Sequence, residues 1–183
     1  MGTKQVGTKR RGLILDRDGV INIDRGYVGS VTQFDFMPGL FPFLRAAVDK
    51  GYLLAVATNQ SGVARGFYSE QDYEAVTAHM LAELRRETID ISLTLACFAH
   101  PEGKIAPYAF ESFWRKPNPG MVLEAVRRLD LEAGRSAFLG DALRDMQAAQ
   151  GGGIGNCLWL TQEKTAPKGV ALVPDFTAAL ERL

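Results

Sequence analysis

Short apolar runs alternate with stretches of helical period along this chain. Leu13-Ile14-Leu15 forms an apolar run that predicts a strand over 12–16. After Pro38-Gly39, Leu40, Phe43, Leu44 and Ala47 recur at i, i+3, i+4 and i+7. That spacing predicts a helix over 40–49, with Gly51 as its stop. The unbroken apolar run 52–57 is what a strand buried on both faces requires. Ser69-Glu70-Gln71-Asp72 has the form of a capping box and predicts a long helix to about Arg86. Further strands are predicted over 91–96, 137–140 and 154–160. Further helices are predicted over 118–129, with Pro119 near the first turn, and over 143–150, closed by Gly151-Gly152-Gly153.

Strands and helices that alternate in this way build βαβ units. The expected fold is α/β, a doubly wound, Rossmann-like parallel sheet with helices on both faces and no large cap domain. No repeat or linker divides the pattern, so 12–183 reads as a single domain. Residues 1–11 carry Lys4, Lys9, Arg10 and Arg11 and no acid, and read as a disordered basic leader.

Composition narrows the class. At 183 residues with 46% hydrophobic content, the chain can bury a sizeable core. Its formal charge is zero, but beyond the leader 21 acidic residues face 17 basic ones. A mildly acidic body is a poor nucleic-acid surface, so no nucleic-acid partner is expected. The leader has no apolar stretch, so it is neither signal peptide nor membrane anchor. Cys97 and Cys157 lie far apart in sequence, and a reduced, cytoplasmic setting is expected. A monomer acting on a small molecule completes that picture.

The chemistry gathers where strands end, which is where ligands bind in open α/β sheets. Asp16 and Asp18 stand two positions apart at the end of the first strand, so both can face one space. Two carboxylates aimed at one point call for a cation or a shared proton; an ordinary Asp-Gly turn is the competing reading. Thr58-Asn59-Gln60-Ser61-Gly62 follows the second strand with hydroxyl, amide and backbone donors suited to a phosphate oxygen. Arg115-Lys116-Pro117 places two cations before a helix, and Asp141 stands at the tip of the 137–140 strand. Asp141 also fits a helix N-cap. Asp16, Asp18 and Asp141 together supply the hard oxygen donors that suit Mg²⁺. A phosphate held by Thr58 and Lys116 beside that metal points to phosphoryl transfer, with one aspartate as nucleophile and the other handling the proton.

Four motifs in order carry a family resemblance: 16–22 (DRDGVIN), 58–66 (TNQSGVARG), 115–121 (RKPNPGM) and 140–149, which opens Gly140-Asp141 and continues Asp145-Met146-Gln147-Ala148-Ala149. The chain resembles the haloacid dehalogenase superfamily over about 12–160. Within it, the chain is similar to the small capless phosphatases that act on heptose bisphosphate and on histidinol phosphate. The resemblance implies an Mg²⁺-dependent phosphomonoesterase working through an aspartyl-phosphate. The favoured substrate is the 7-phosphate of a heptose 1,7-bisphosphate used in lipopolysaccharide or glycan precursor synthesis. Histidinol phosphate or another small phosphometabolite is the alternative, and a non-catalytic phosphate-binding domain the alternative of another class.

Residue by residue, the resemblance makes Asp16 the nucleophile and a metal ligand. Asp18 becomes the general acid and then base, with its backbone carbonyl on the metal, and Asp141 the remaining protein ligand. Thr58, Arg115 and Lys116 hold the phosphoryl group. Asp24, Arg25, Gly26 and Tyr27, with Asn59, Gln60 and Ser61, contact the substrate, and Arg65 can meet a second phosphate. Asp145 is expected to orient its neighbours rather than bind the metal.

The family often carries a zinc held by Cys-x-His and Cys-x-Cys pairs before Arg-Lys-Pro. Of those ligands only Cys97 remains, with Ala99, Ser112 and Trp114 in the other places, so no zinc is expected. Tyr108, Phe110, Phe113 and Trp114 are expected to pin that loop by apolar packing instead. Ala142 stands where the heptose enzymes commonly have a lysine, which bears on substrate choice.

Overall fold

The computed structural model describes residues 9–183. Its centre is a six-stranded sheet in the order β3-β2-β1-β4-β5-β6, every neighbouring pair parallel. The strands are β1 (Arg11–Leu15), β2 (Tyr52–Asn59), β3 (Ile91–Cys97), β4 (Ala137–Gly140), β5 (Asn156–Leu160) and β6 (Val170–Val173). Between them run α1 (Leu40–Asp49), α2 (Gly62–Arg65), α3 (Glu70–Arg86), α4 (Gly120–Arg128) and α5 (Leu143–Gly151), and α6 (Phe176–Glu181) follows β6. Strand order reverses between β1 and β4, and that switch point opens a crevice at the strands' carboxyl ends.

Alternation along each strand divides the core between the two faces. Leu13 and Leu15 of β1 and Leu54 and Val56 of β2 pack with α1, α3 and α6. Ile14, Ala55 and Ala57 point the other way and pack with α4 and α5. Leu13, Ile14 and Leu15 are all fully buried, which is why the run carries no polar residue. Each such burial stabilises by about 1.5–3 kcal/mol.

Elements and sequence agree closely, with three differences. Arg10 and Arg11, read as part of the leader, are joined to the fold. Arg11 opens β1, and the Arg10 carbonyl accepts from Glu132 N at 2.8 Å; the rest of the leader, 1–8, lies outside the described residues. α4 starts at Gly120, two residues later than predicted, with Pro119 as its N-cap. Three short elements fall outside the predicted ones: α2, β6, which adds an edge strand to the sheet, and α6. Among the described residues, no helix is long and apolar enough to cross a membrane.

Candidate active site

β1 and β4 bring the two aspartate motifs side by side. The Asp16 amide continues the β1–β4 ladder by donating to Leu139 O at 3.0 Å, which fixes where its side chain emerges. Gly19 turns the chain back with φ +79°, and a Cβ there would lie 2.0 Å from Asp141 Oδ2. Only glycine combines that left-handed backbone with room for the carboxylate. On the β4 side, Asp145 in the first turn of α5 accepts from Ala142 N at 3.0 Å through Oδ2. That bond caps the helix and aims the rest of the carboxylate at the site.

Asp16, Asp141 and Asp145 each offer an oxygen within 4.8 Å of the others. Among them sits Lys116, fully buried, with Nζ 3.0 Å from Asp16 Oδ1 and 2.7 Å from Asp145 Oδ1. Nζ also donates to Ala57 O at 2.8 Å. Burial alone would lower the Lys116 pKa; the charges of Asp16 and Asp145 outweigh it and hold the pKa above the ordinary lysine value. One ammonium does not balance three carboxylates. Burial, reinforced by the charges of Asp16 and Asp145, pushes the Asp141 carboxyl up to about 7. Asp141 Oδ1 is buried with no hydrogen-bond partner. An orphaned buried carboxylate oxygen beside a second carboxylate is a donor set that fits a hard divalent cation. Asp16, Asp141 and Asp145 are the carboxylates placed to hold such an ion, Asp145 being the one also bound to Lys116 and to its own helix end.

Asp18 lies above this floor and is gripped on three sides. Arg17 Nη2 donates to Oδ1 and Oδ2 at 2.8 and 3.0 Å, Asn22 Nδ2 to Oδ1 at 3.0 Å, and Gln60 Nε2 to Oδ2 at 2.8 Å. Arg17 is itself buried and also donates to Val28 O at 3.1 Å. At the end of β2, Thr58 is buried with its hydroxyl accepting from Gln60 Nε2 at 2.9 Å. Asn59 clasps the Lys116 backbone, donating to its carbonyl at 2.9 Å and accepting from its N–H at 3.0 Å. Two of the residues expected at the substrate, Asn59 and Gln60, therefore spend their amides inside the protein.

Over the aspartates opens a cavity of about 330 Å³. Asp16, Asp18, Asp24, Gly26, Tyr27, Asn59, Gln60, Ser61, Arg65 and Arg115 line it, whereas Thr58, Lys116 and Asp141 do not. Arg25 does not; it turns away to an exposed ion pair with Asp35 at 2.7 Å. Tyr68, His100 and Arg144 line the cavity although sequence reasoning assigned none of them. His100 Nε2 lies 3.0 Å from Arg65 Nη2. Burial and then the charges of Arg144 and Arg65 lower the Arg115 pKa, so three guanidinium groups crowd one wall. The signal for Arg144 was its place one turn beyond Asp141 on a helix that faces the site. A larger groove of about 750 Å³ beside α3 contains none of the aspartates.

The loop after β3 is held differently from expectation. Phe110, Phe113 and Trp114 are 52%, 60% and 39% exposed and do not pin it. Ala64 O of α2 accepts from both Lys104 N and Ile105 N, at 2.7 and 2.9 Å. Tyr108 does take part, packing edge-on against Phe98 and donating to Glu70 at the start of α3. Cys97 is buried in the apolar core while His100 faces Arg65, so these two potential ligands serve different surroundings.

Known proteins share this architecture. The HAD-hydrolase-like family model matches residues 113–179. The D-glycero-alpha-D-manno-heptose-1,7-bisphosphate 7-phosphatase of Burkholderia mallei is 45% identical over 150 residues, 82% of this chain and 79% of that protein. The corresponding beta-heptose enzyme of Escherichia coli is 38% identical over 143 residues, 78% of this chain and 75% of that protein. A crystal structure of the D,D-heptose 1,7-bisphosphate phosphatase of B. bronchiseptica, complexed with magnesium and phosphate, superposes with a TM-score of 0.80. The likeness spans 94% of this chain and 97% of that one at 29% identity. By sequence, fold and the order of its motifs, the chain belongs to the heptose-1,7-bisphosphate 7-phosphatase family of HAD-like hydrolases.

Proposed function

We propose that the chain is an Mg²⁺-dependent phosphomonoesterase that removes the 7-phosphate of a D-glycero-D-manno-heptose 1,7-bisphosphate. The observation that carries this reading is the buried Asp16–Lys116–Asp145 group beside the orphaned Asp141 oxygen. It combines a nucleophile, a fixed cation and vacant hard donors within one small space. Asp16 and Asp141, with the Asp18 backbone carbonyl, would hold the metal. When bound, Mg²⁺ neutralises charge on the phosphoryl oxygens and aligns the phosphorus for in-line attack.

The chain's own groups do the rest. Asp16 Oδ1 takes Lys116 and the Arg17 N–H at 2.7 Å, and no protein donor meets Oδ2 among the described residues. Asp16 attacks phosphorus, and the bond to the sugar oxygen breaks as the Asp16–phosphorus bond forms. Asp18 gives its proton to the departing alkoxide, then takes one from the water that releases phosphate and restores Asp16. Thr58, Arg115 and Lys116 hold the phosphoryl oxygens. Arg65, Arg115 and Arg144 form a cationic wall suited to the second phosphate of a bisphosphate. Asp24, Gly26, Tyr27 and Ser61 are the cavity groups left to meet sugar hydroxyls. With Ala99, Ser112 and Trp114 at the remaining positions, the loop takes no zinc.

A phosphate-release assay tests this directly. Both heptose bisphosphate anomers, other sugar mono- and bisphosphates and histidinol phosphate are offered with Mg²⁺ and with EDTA. Release from the heptose bisphosphates, abolished by EDTA and by Asp16→Asn checked for deamidation, is expected. Release from none of them sinks the reading, and preference for histidinol phosphate reassigns the substrate.

A further inference from the structure

We propose that Tyr68 is a positioning residue for the proton-transfer step, acting on Asp18 through Gln60. The inference rests on the phosphomonoesterase reading and adds a residue that none of the four motifs contains. Tyr68 OH donates to Gln60 Oε1 at 2.5 Å. Gln60 Nε2 then donates to Asp18 Oδ2 at 2.8 Å and to Thr58 Oγ1 at 2.9 Å. Gln60 is 1% exposed, so no solvent competes for its amide.

A buried amide can be inserted in two orientations, with its oxygen and nitrogen exchanged. Here only one is acceptable. The Tyr68 hydroxyl donates to the oxygen in the orientation whose NH₂ faces the two acceptors. Reversed, the Gln60 oxygen would oppose the Asp18 carboxylate. The Asp18 carboxylate thus sets which end of Gln60 it meets, and the Tyr68 hydroxyl, donating to the far oxygen, holds the amide in that orientation.

The ring is seated as firmly as the hydroxyl. A Cβ at Gly62 would lie 2.1 Å from Tyr68 Cε1, and one at Gly29 2.5 Å from Tyr68 Cδ1. The ring therefore fills a slot between two glycines, one on the loop after β1 and one opening α2. Burial pushes the Tyr68 phenol up to about 12, so it keeps its proton throughout the neutral range. Asp18 is also held by Arg17 and Asn22, which fix its position along the loop. Gln60 is the contact that ties it to β2 and to Thr58.

Tyr68→Phe, Gln60→Met and the double variant test this in a kinetic cycle. Tyr68→Phe keeps the ring in its slot and is expected to lower kcat on the order of tenfold, with KM changed less than about twofold. The double variant is expected to be no slower than Gln60→Met alone, because the hydroxyl acts only through the amide. Unchanged kcat in Tyr68→Phe, a loss confined to KM, or fully additive effects would each overturn the proposal. A readout independent of activity is the Gln60 side-chain amide in nitrogen-resolved NMR of the wild type. Slow exchange of its protons, and a shift of that resonance in Tyr68→Phe, are expected; rapid exchange in the wild type rejects the chain. If the wild type hydrolyses no phosphomonoester while the amide is protected and shifts as expected, the functional reading fails and the Tyr68–Gln60–Asp18 arrangement stands.

Discussion

At the residue scale, charge balance decides the behaviour of the site. Asp141 has its carboxyl pushed up to about 7 by burial and by Asp16 and Asp145. A carboxyl raised in the folded state favours folding below its unfolded pKa, and that contribution is lost as pH rises through the folded value. Chelated protein should therefore lose stability between about pH 4 and 7 on account of this group. Mg²⁺ should restore more at pH 8 than at pH 5. Thermal melts with EDTA and with Mg²⁺ across that range check it, and Asp141→Asn should flatten the difference. Equal Mg²⁺ effects at both pH values would remove Asp141 from the cation site. Lys116 is the opposite case, because truncating a buried ion-paired group typically costs about 3–5 kcal/mol. The individual aspartates and Lys116 were legible because charged residues at strand ends have few structural uses. The inward turn of Gln60 was not, since an amide reads the same whether it faces substrate or protein.

At the element scale, the period of the sequence located α1 and β4 to the residue, and most other elements to within one or two. Those segments are buried on a full face, so their patterns are strict. β6 escaped notice because it is a four-residue edge strand with only Val173 fully covered. α6, at six residues, is too short to show a period. The loop after β3 was misread for a related reason. Aromatic residues suggested packing, yet Phe110, Phe113 and Trp114 stay exposed while backbone bonds to Ala64 and the Tyr108–Glu70 contact hold the segment. Tyr108→Phe should therefore speed hydrogen exchange and proteolysis within 98–110 while moving the global melting temperature by less than about 2 °C. Protection unchanged in that segment would show that the Ala64 bonds alone suffice.

At the scale of the whole molecule, the cavity is polarised. The end of β1 delivers Asp16 and Asp18 to its floor, with Asp141 and Asp145 close to Asp16, and Arg65, Arg115 and Arg144 come to its wall from α2, the loop before α4 and α5. A substrate with anionic groups at both ends can bridge a metal-loaded floor and that wall. Arg144 is exposed, so its share is modest. Arg144→Ala should raise KM for a sugar bisphosphate about three- to tenfold and leave a monophosphate unaffected, the difference shrinking at high salt. An equal rise for both substrates would place Arg144 outside the second-phosphate contact.

The switch point between β1 and β4 also orders events in time. Asp16 emerges early during synthesis, whereas Asp141 and Asp145 belong to a segment made long after β2 and β3. Until β4 slots in beside β1, the early aspartate lacks both Asp141 and Asp145. A nascent chain halted before β4 therefore displays an inert carboxylate, and competence for chemistry arrives together with closure of the central sheet.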